Sequence, residues 1–164
     1  MIFSSVLKAF IPLYGDGYRF RALLRVREIC REKKITWLAI CVKNYLLHKF
    51  GCELSIDARI STKAMFMHTT GVVIGGGVTI EDGVRIYSGV VCGRKDITND
   101  EDYPMIKKNV VLGTGAKILG KIEIGENSVI GANALVVTDV DSGVWCGIPA
   151  TKKHNGEVKC KSDD

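Results

Sequence analysis

At 164 residues, with 46% apolar and 25% charged side chains and a net charge of +5, the chain has the balance of one globular domain carrying a small appendage. No apolar run approaches the ~20 residues that a membrane span requires, and the opening MIFSSVLKAFIPLYGDGYRF lacks the regions of a signal peptide. A cytoplasmic location is therefore expected. Six cysteines at 30, 41, 52, 92, 146 and 160 form no CxxC pair, so zinc-ribbon and thioredoxin-type sites gain no support and reduced thiols are expected.

Residues 1–51 read as an N-terminal helical segment. In YRFRALLRVREICREKK, Phe20, Leu23, Leu24 and Ile29 or Cys30 recur at spacings of three and four, ringed by Arg19, Arg21, Arg25, Arg27 and Arg31. In ITWLAICVKNYLLHKF, Trp37, Leu38, Cys41, Tyr45 and Leu46 recur likewise, and Gly51 is a stop signal. Residues 1–50 hold ten Lys/Arg against three Asp/Glu. Two readings stay open: helices packed on the main domain with their arginines in water, or a basic face on an anionic membrane or lipid-linked substrate. No nucleic-acid recognition module is visible.

From residue 52 the period becomes six. The first positions are Ile56, Thr62, His68, Ile74, Ile80, Ile86 and Cys92, then Ile106, Leu112, Ile118, Ile124, Ile130 and Val136; only Thr62 and His68 are not apolar. Position four is often Gly or Asn, as at Gly71, Gly83, Gly89, Asn109, Gly115, Asn127 and Asn133, types that tolerate the positive φ of a tight corner. Each hexad is one short strand plus one corner, and three hexads make an 18-residue triangular coil stacking on its neighbours as parallel strands. The fold expected is mainly β: a parallel β-helix over 52–150, after the short helical segment and before a tail, 151–164. Position one faces the interior, which makes a histidine at 68 anomalous.

The step from Cys92 to Ile106 is fourteen residues, where the repeat wants six. The intervening GRKDITNDEDYPM is polar and acidic and reads as a loop over 94–105 thrown out of a corner, a place where rigid scaffolds carry function. Its Asp96, Asp100, Glu101 and Asp102 lack the spacing of a calcium loop. Thr114, Ala132 and Ala150 lie 18 apart and are expected to stack along one edge, leaving a groove or a tight subunit contact.

The hexads, HTTGVVIGGGVTIEDGV, VVLGTGAKILGKIEIGENSVIGANALV and the ending GIPA resemble the hexapeptide-repeat acyltransferases. The match is to the serine acetyltransferase branch and the bacterial surface-polysaccharide O-acetyltransferases related to it. The resemblance implies left-handed coiling, acetyl-CoA as donor, no metal and a homotrimer with CoA between adjacent prisms. It implies that His68 is the catalytic base and that Glu53, where the family usually has Asp, is its carboxylate partner. It places Gly93, Thr114 and Ala132 along acetyl-CoA; on charge alone, Lys152 and Lys153, just past GIPA, are expected to meet the nucleotide phosphates. The chemistry agrees: an imidazole titrating near about pH 6.5 suits proton removal from a hydroxyl, and a carboxylate on the other ring nitrogen fixes the tautomer.

The pattern departs from serine acetyltransferases where the acceptor binds. An Asp before the catalytic His is Met67 here, and an Arg-His pair before the loop proline is Asp102-Tyr103. A carboxylate and an aromatic ring suit a sugar, so Met67, Asp102 and Tyr103 are expected to contact a sugar hydroxyl acceptor in surface-polysaccharide assembly, at the inner face of the membrane. Serine O-acetylation is the alternative, N-acetylation of an amino sugar comes third, and a structural β-helix scaffold is the non-enzymatic reading. A γ-carbonic-anhydrase-type hydratase needs three histidines, but the repeat region has only His68, with His48 and His154 outside it.

Overall fold

A computed structural model describes residues 16–153 except Ile97 and Asp100. Residues 1–15 of the helical segment, Asp100, His154 and Cys160 lie outside the described residues. Helix α1 spans Asp16–Glu32 and α2 spans Thr36–Phe50. Gly51 ends α2 in the left-handed region at φ 62°, its N–H donating to the Leu47 carbonyl and the Cys52 N–H to that of Leu46. Among the described residues, no helix is long and apolar enough to cross a membrane.

The helices pack on the first coil, with two corrections to the expected faces. Phe20, Leu23, Leu24 and Cys30 are buried as predicted, but Val26 and Arg27 are buried with them, Arg27 at 0% exposure. Its guanidinium donates to the carbonyls of Ser55 and Ala58 and pairs with Glu28, which also accepts from Arg31. Arg27 thus bolts α1 to the first coil. The buried stripe of α2 is Ala39, Val42 and Leu46, while Trp37 is 69% exposed. With Arg27 internal, nothing supports a lipid-facing surface on α1.

Three sheets of parallel strands form the faces of a triangular prism. The first face stacks β1 (Glu53–Leu54), β4 (Val73–Ile74), β7 (Val91–Gly93), β10 (Lys117–Leu119) and β13 (Leu135–Val136). The second stacks β2 (Arg59–Ile60), β5 (Thr79–Ile80), β8 (Met105–Ile106) and β11 (Glu123–Ile124). The third stacks β3 (Met65–Phe66), β6 (Arg85–Ile86), β9 (Val111–Leu112), β12 (Val129–Ile130), β14 (Val144–Cys146) and β15 (Thr151–Lys153). This is the hexapeptide-repeat β-helix, consistent with left-handed coiling. The expected tail changes character at its start: Thr151–Lys153 turn back and pair antiparallel with β14, which covers that sheet edge.

From Ile74 onward the predicted first positions point inward and are buried. Before Ile74 the phase differs by two: the inward series is Leu54, Ile60 and Phe66, not Ile56, Thr62 and His68. The registers record the reason. Met105 pairs with Glu123 at the regular 18-residue step, but Glu53 pairs with Val73 and Arg59 with Thr79, a step of 20. Two extra residues therefore sit in the corner between Phe66 and Val73. The step across the long loop is 26, as in Val91 to Lys117, so that loop is eight residues added to one corner.

The seven Gly and Asn residues named above for position four have φ between 54° and 74°. Gly77, expected at the same position with the same conformation, is the exception. It has no positive φ, yet a Cβ there would lie 2.1 Å from Cδ2 of Tyr103. Gly77→Ala is expected to displace the Tyr103 ring and cost about 1–3 kcal/mol, as overpacking does, read as a lower denaturant midpoint at unchanged m-value.

Candidate active site

The two-residue insertion answers the anomaly at 68. Phe66 occupies the interior position and its ring lies 4.9 Å from that of Phe20. His68 belongs to the added corner segment between the third and first faces and is exposed. Phe66 and Met67 lead into this segment, the Met67 N–H donating to the Ile86 carbonyl at 2.8 Å. The Tyr87 ring sits 6.1 Å from the imidazole. A cavity of ≈ 430 Å³ opens beside His68, between the corner and the start of α1, and includes Tyr18, Arg21, Phe50, Thr69 and Thr70 in its lining.

Glu53 reaches the same corner from below. The Gly71 N–H donates to the Gly51 carbonyl and the Glu53 N–H to the Val72 carbonyl, both at 2.8 Å, so Glu53 begins the first face just past the turn that carries His68. No hydrogen bond links the two side chains; the Glu53 carboxylate pairs with Lys43 at 3.4 Å.

Above His68 the corner continues as a column of small residues. Gly89, Gly115 and Asn133 donate their N–H groups to the carbonyls of Thr70, Ser88 and Thr114 at 2.8–2.9 Å. The row is thus Thr70, Ser88, Thr114 and Ala132, three strand spacings or about 14 Å long. A Cβ on Gly113 would come within 2.8 Å of the Ala132 nitrogen and the Ile130 carbonyl, so backbone packs tightly along this edge. Ala150 leaves the row. The final step is 15, Ile130 pairing with Trp145, and Ala150 donates instead to the Leu135 carbonyl at 2.7 Å.

Gly93 and the loop lie on another edge, between the first and second faces. Asp102 is the knot of that loop: its carboxylate accepts the N–H groups of Lys95, Asp96 and Lys121 at 2.7–2.8 Å. These bonds, that from Asp96 foremost, hold its pKa below the usual carboxylate value. A depressed folded pKa gives stability that is present above the unfolded value, near about 3.9, and is lost as pH falls through the folded one. Asp102→Ala is therefore expected to lower the protection of the Lys95, Asp96 and Lys121 amides at neutral pH, and acidification below about pH 4 should lower their protection in the wild type, each exchange rate taken relative to its intrinsic rate at that pH.

Tyr103 rests on the Gly75–Gly77 corner, with the Arg94 guanidinium 5.5 Å from its ring centroid. Both expected sugar contacts of the loop are thus engaged in its own architecture. Lys152 pairs with Asp141, whereas Lys153 is exposed at the edge of the third face. Among the described residues, no group of three or more His, Cys, Asp or Glu is placed to hold a metal. Arg21, Tyr18 and Tyr87 escaped the sequence reading. Arg21 and Tyr18 belong to α1, whose docking point no spacing reveals, and Tyr87 reaches His68 only through the 20-residue step.

Fold and site define a hexapeptide-repeat β-helix, and the bacterial transferase hexapeptide (six repeats) family model matches residues 103–138. In particular the chain is similar to serine acetyltransferases. It is 43% identical over 160 residues to that of Buchnera aphidicola subsp. Acyrthosiphon pisum, covering 92% of this chain and 58% of the relative. The soybean serine acetyltransferase complexed with serine aligns at 30% identity and a TM-score of 0.78, over 84% of this chain and 57% of that one. A serine acetyltransferase in complex with CoA aligns at 32% identity and a TM-score of 0.76, over 86% and 58%. The chain spans about half the length of the curated relatives it matches.

These matches overturn the expected sugar acceptor in polysaccharide assembly. Serine acetyltransferases match across most of the chain, at 43%, 32%, 34% and 32% identity. In this chain Asp102 and Tyr103 make contacts that fold the loop.

Proposed function

We propose that this chain is an acetyl-CoA-dependent O-acetyltransferase whose acceptor is the hydroxyl of L-serine. The observation that carries the reading is the placement of His68 on an added corner segment, beside a cavity and at the foot of the small-residue column. A donor lying along Thr114 and Ala132 would bring its thioester down toward the imidazole, and a small acceptor would fill the cavity.

His68 takes the serine proton as the oxygen attacks the thioester carbon. The carbon–sulfur bond of the tetrahedral intermediate then breaks, and the imidazolium returns its proton to the departing thiolate. Glu53, on release from Lys43, orients the ring and stabilises the imidazolium. Lys153 is free to meet the phosphates of the donor, whereas Lys152 must first leave Asp141.

A homotrimer fits this geometry. The edge bearing His68, Thr114 and Ala132 differs from the edge bearing Gly93 and the loop, so both edges meet in one site only if one prism lies against another. Direct transfer is tested by initial rates with both substrates varied. Intersecting reciprocal plots and no acetyl group on the quenched protein are expected; parallel plots with an acetylated protein would show a covalent route.

A further inference from the structure

We propose that Arg21 is the residue that recognises the acceptor's carboxylate, a step that rests on the serine reading above. Serine differs from other small alcohols by its charged groups, and its carboxylate carbon lies two carbons beyond the hydroxyl-bearing carbon. A residue that selects it must stand within a side chain's reach of His68. Arg21 and His68 are the basic side chains lining the ≈ 430 Å³ cavity, and no carboxylate lines it. Arg21 is exposed and makes no ion pair with any described residue. Its fork of N–H donors matches a carboxylate in two parallel bonds.

The position of Arg21 is fixed from behind. Phe20 and Leu24, flanking it on α1, are buried at 4% and 1% exposure, and Arg27 two turns on is bonded to the carbonyls of the first coil. Within one chain the loop cations Arg94 and Lys95 lie on another edge, away from His68. Asp102 and Tyr103 stand before its proline, and Arg94 lies over the Tyr103 ring on the other edge.

The test compares L-serine with ethanolamine, which keeps the hydroxyl and amine but lacks the carboxylate, in the wild type, Arg21→Gln and Arg21→Lys. Arg21→Gln should lower the kcat/KM ratio of serine over ethanolamine by about ten- to hundredfold, mostly through the serine KM. The KM for acetyl-CoA should stay within about twofold, and Arg21→Lys should fall between. A ratio that does not move, or equal losses with both acceptors, overturns the assignment. Binding read apart from turnover separates this proposal from the reaction itself. L-Serine added with CoA should shift the His68 ring resonances in the wild type and not in Arg21→Gln. Binding that depends on Arg21 without any serine turnover would sink the function and keep the site; binding indifferent to Arg21 would sink the site.

Discussion

Replacing His68 with alanine is expected to slow acetyl transfer to serine by about 10²–10⁴-fold, the usual contribution of a positioned general base. The KM for acetyl-CoA should stay close to that of the wild type, because the donor is expected along Thr114 and Ala132, higher on the same edge. The fold should tolerate the change: His68 is exposed on an added corner segment, and the interior position beneath it belongs to Phe66. A melting transition near the wild type's would separate lost chemistry from lost structure. Retention of most of the rate would mean that the corner serves the fold or the subunit contact instead.

The second large effect concerns stability. Arg27→Met should cost about 3–5 kcal/mol, the range for removing one partner of a buried ion pair. The side chain is fully buried, and its loss would leave Glu28 without its nearest cation and the Ser55 and Ala58 carbonyls without their donor. Burial already pushes the Glu28 carboxyl up and the Arg27 guanidinium down, each offset in part by the other. The combined Arg27→Met and Glu28→Gln variant should accordingly recover part of the loss. Chemical denaturation checks both. An Arg27→Met midpoint equal to the wild type's would contradict the view that this side chain bolts α1 to the β-helix. Because α1 also supplies Tyr18 and Arg21 to the acceptor cavity, the same variant should raise the serine KM.

The architecture was legible because the interior of a narrow prism has room for one kind of residue. From Ile74 to Val136 every first position of a hexad is Ile, Leu, Val or Cys, and each corner that needs a left-handed residue has Gly or Asn. The error came in the first coil, where two series, Ile56–Thr62–His68 and Leu54–Ile60–Phe66, compete at the same spacing. The second is apolar throughout, and that was the available sign of a two-residue insertion. The reading of His68 as a base came from the resemblance; its place on an insertion, outside the core, became visible only through the registers.

The acceptor side was less legible. Asp102 and Tyr103 carry ligand-like chemistry, but carboxylates and aromatic rings also close loops. Only the three amide bonds to Asp102 and the glycine platform under Tyr103 distinguish the two uses. Arg27 and Arg21 look alike in the sequence, yet one lies inside the protein and the other lines the cavity. Helical spacing places them on different faces of α1 without saying which face the β-helix covers.

The central claim is tested most directly by measuring CoA thiol release from acetyl-CoA with and without L-serine, and identifying the product by mass. The account predicts that release depends on serine, saturates in both substrates, and yields one O-acetylserine for each thiol. Thiol release indifferent to serine, or an acetyl group found on any other acceptor in preference to it, would contradict it.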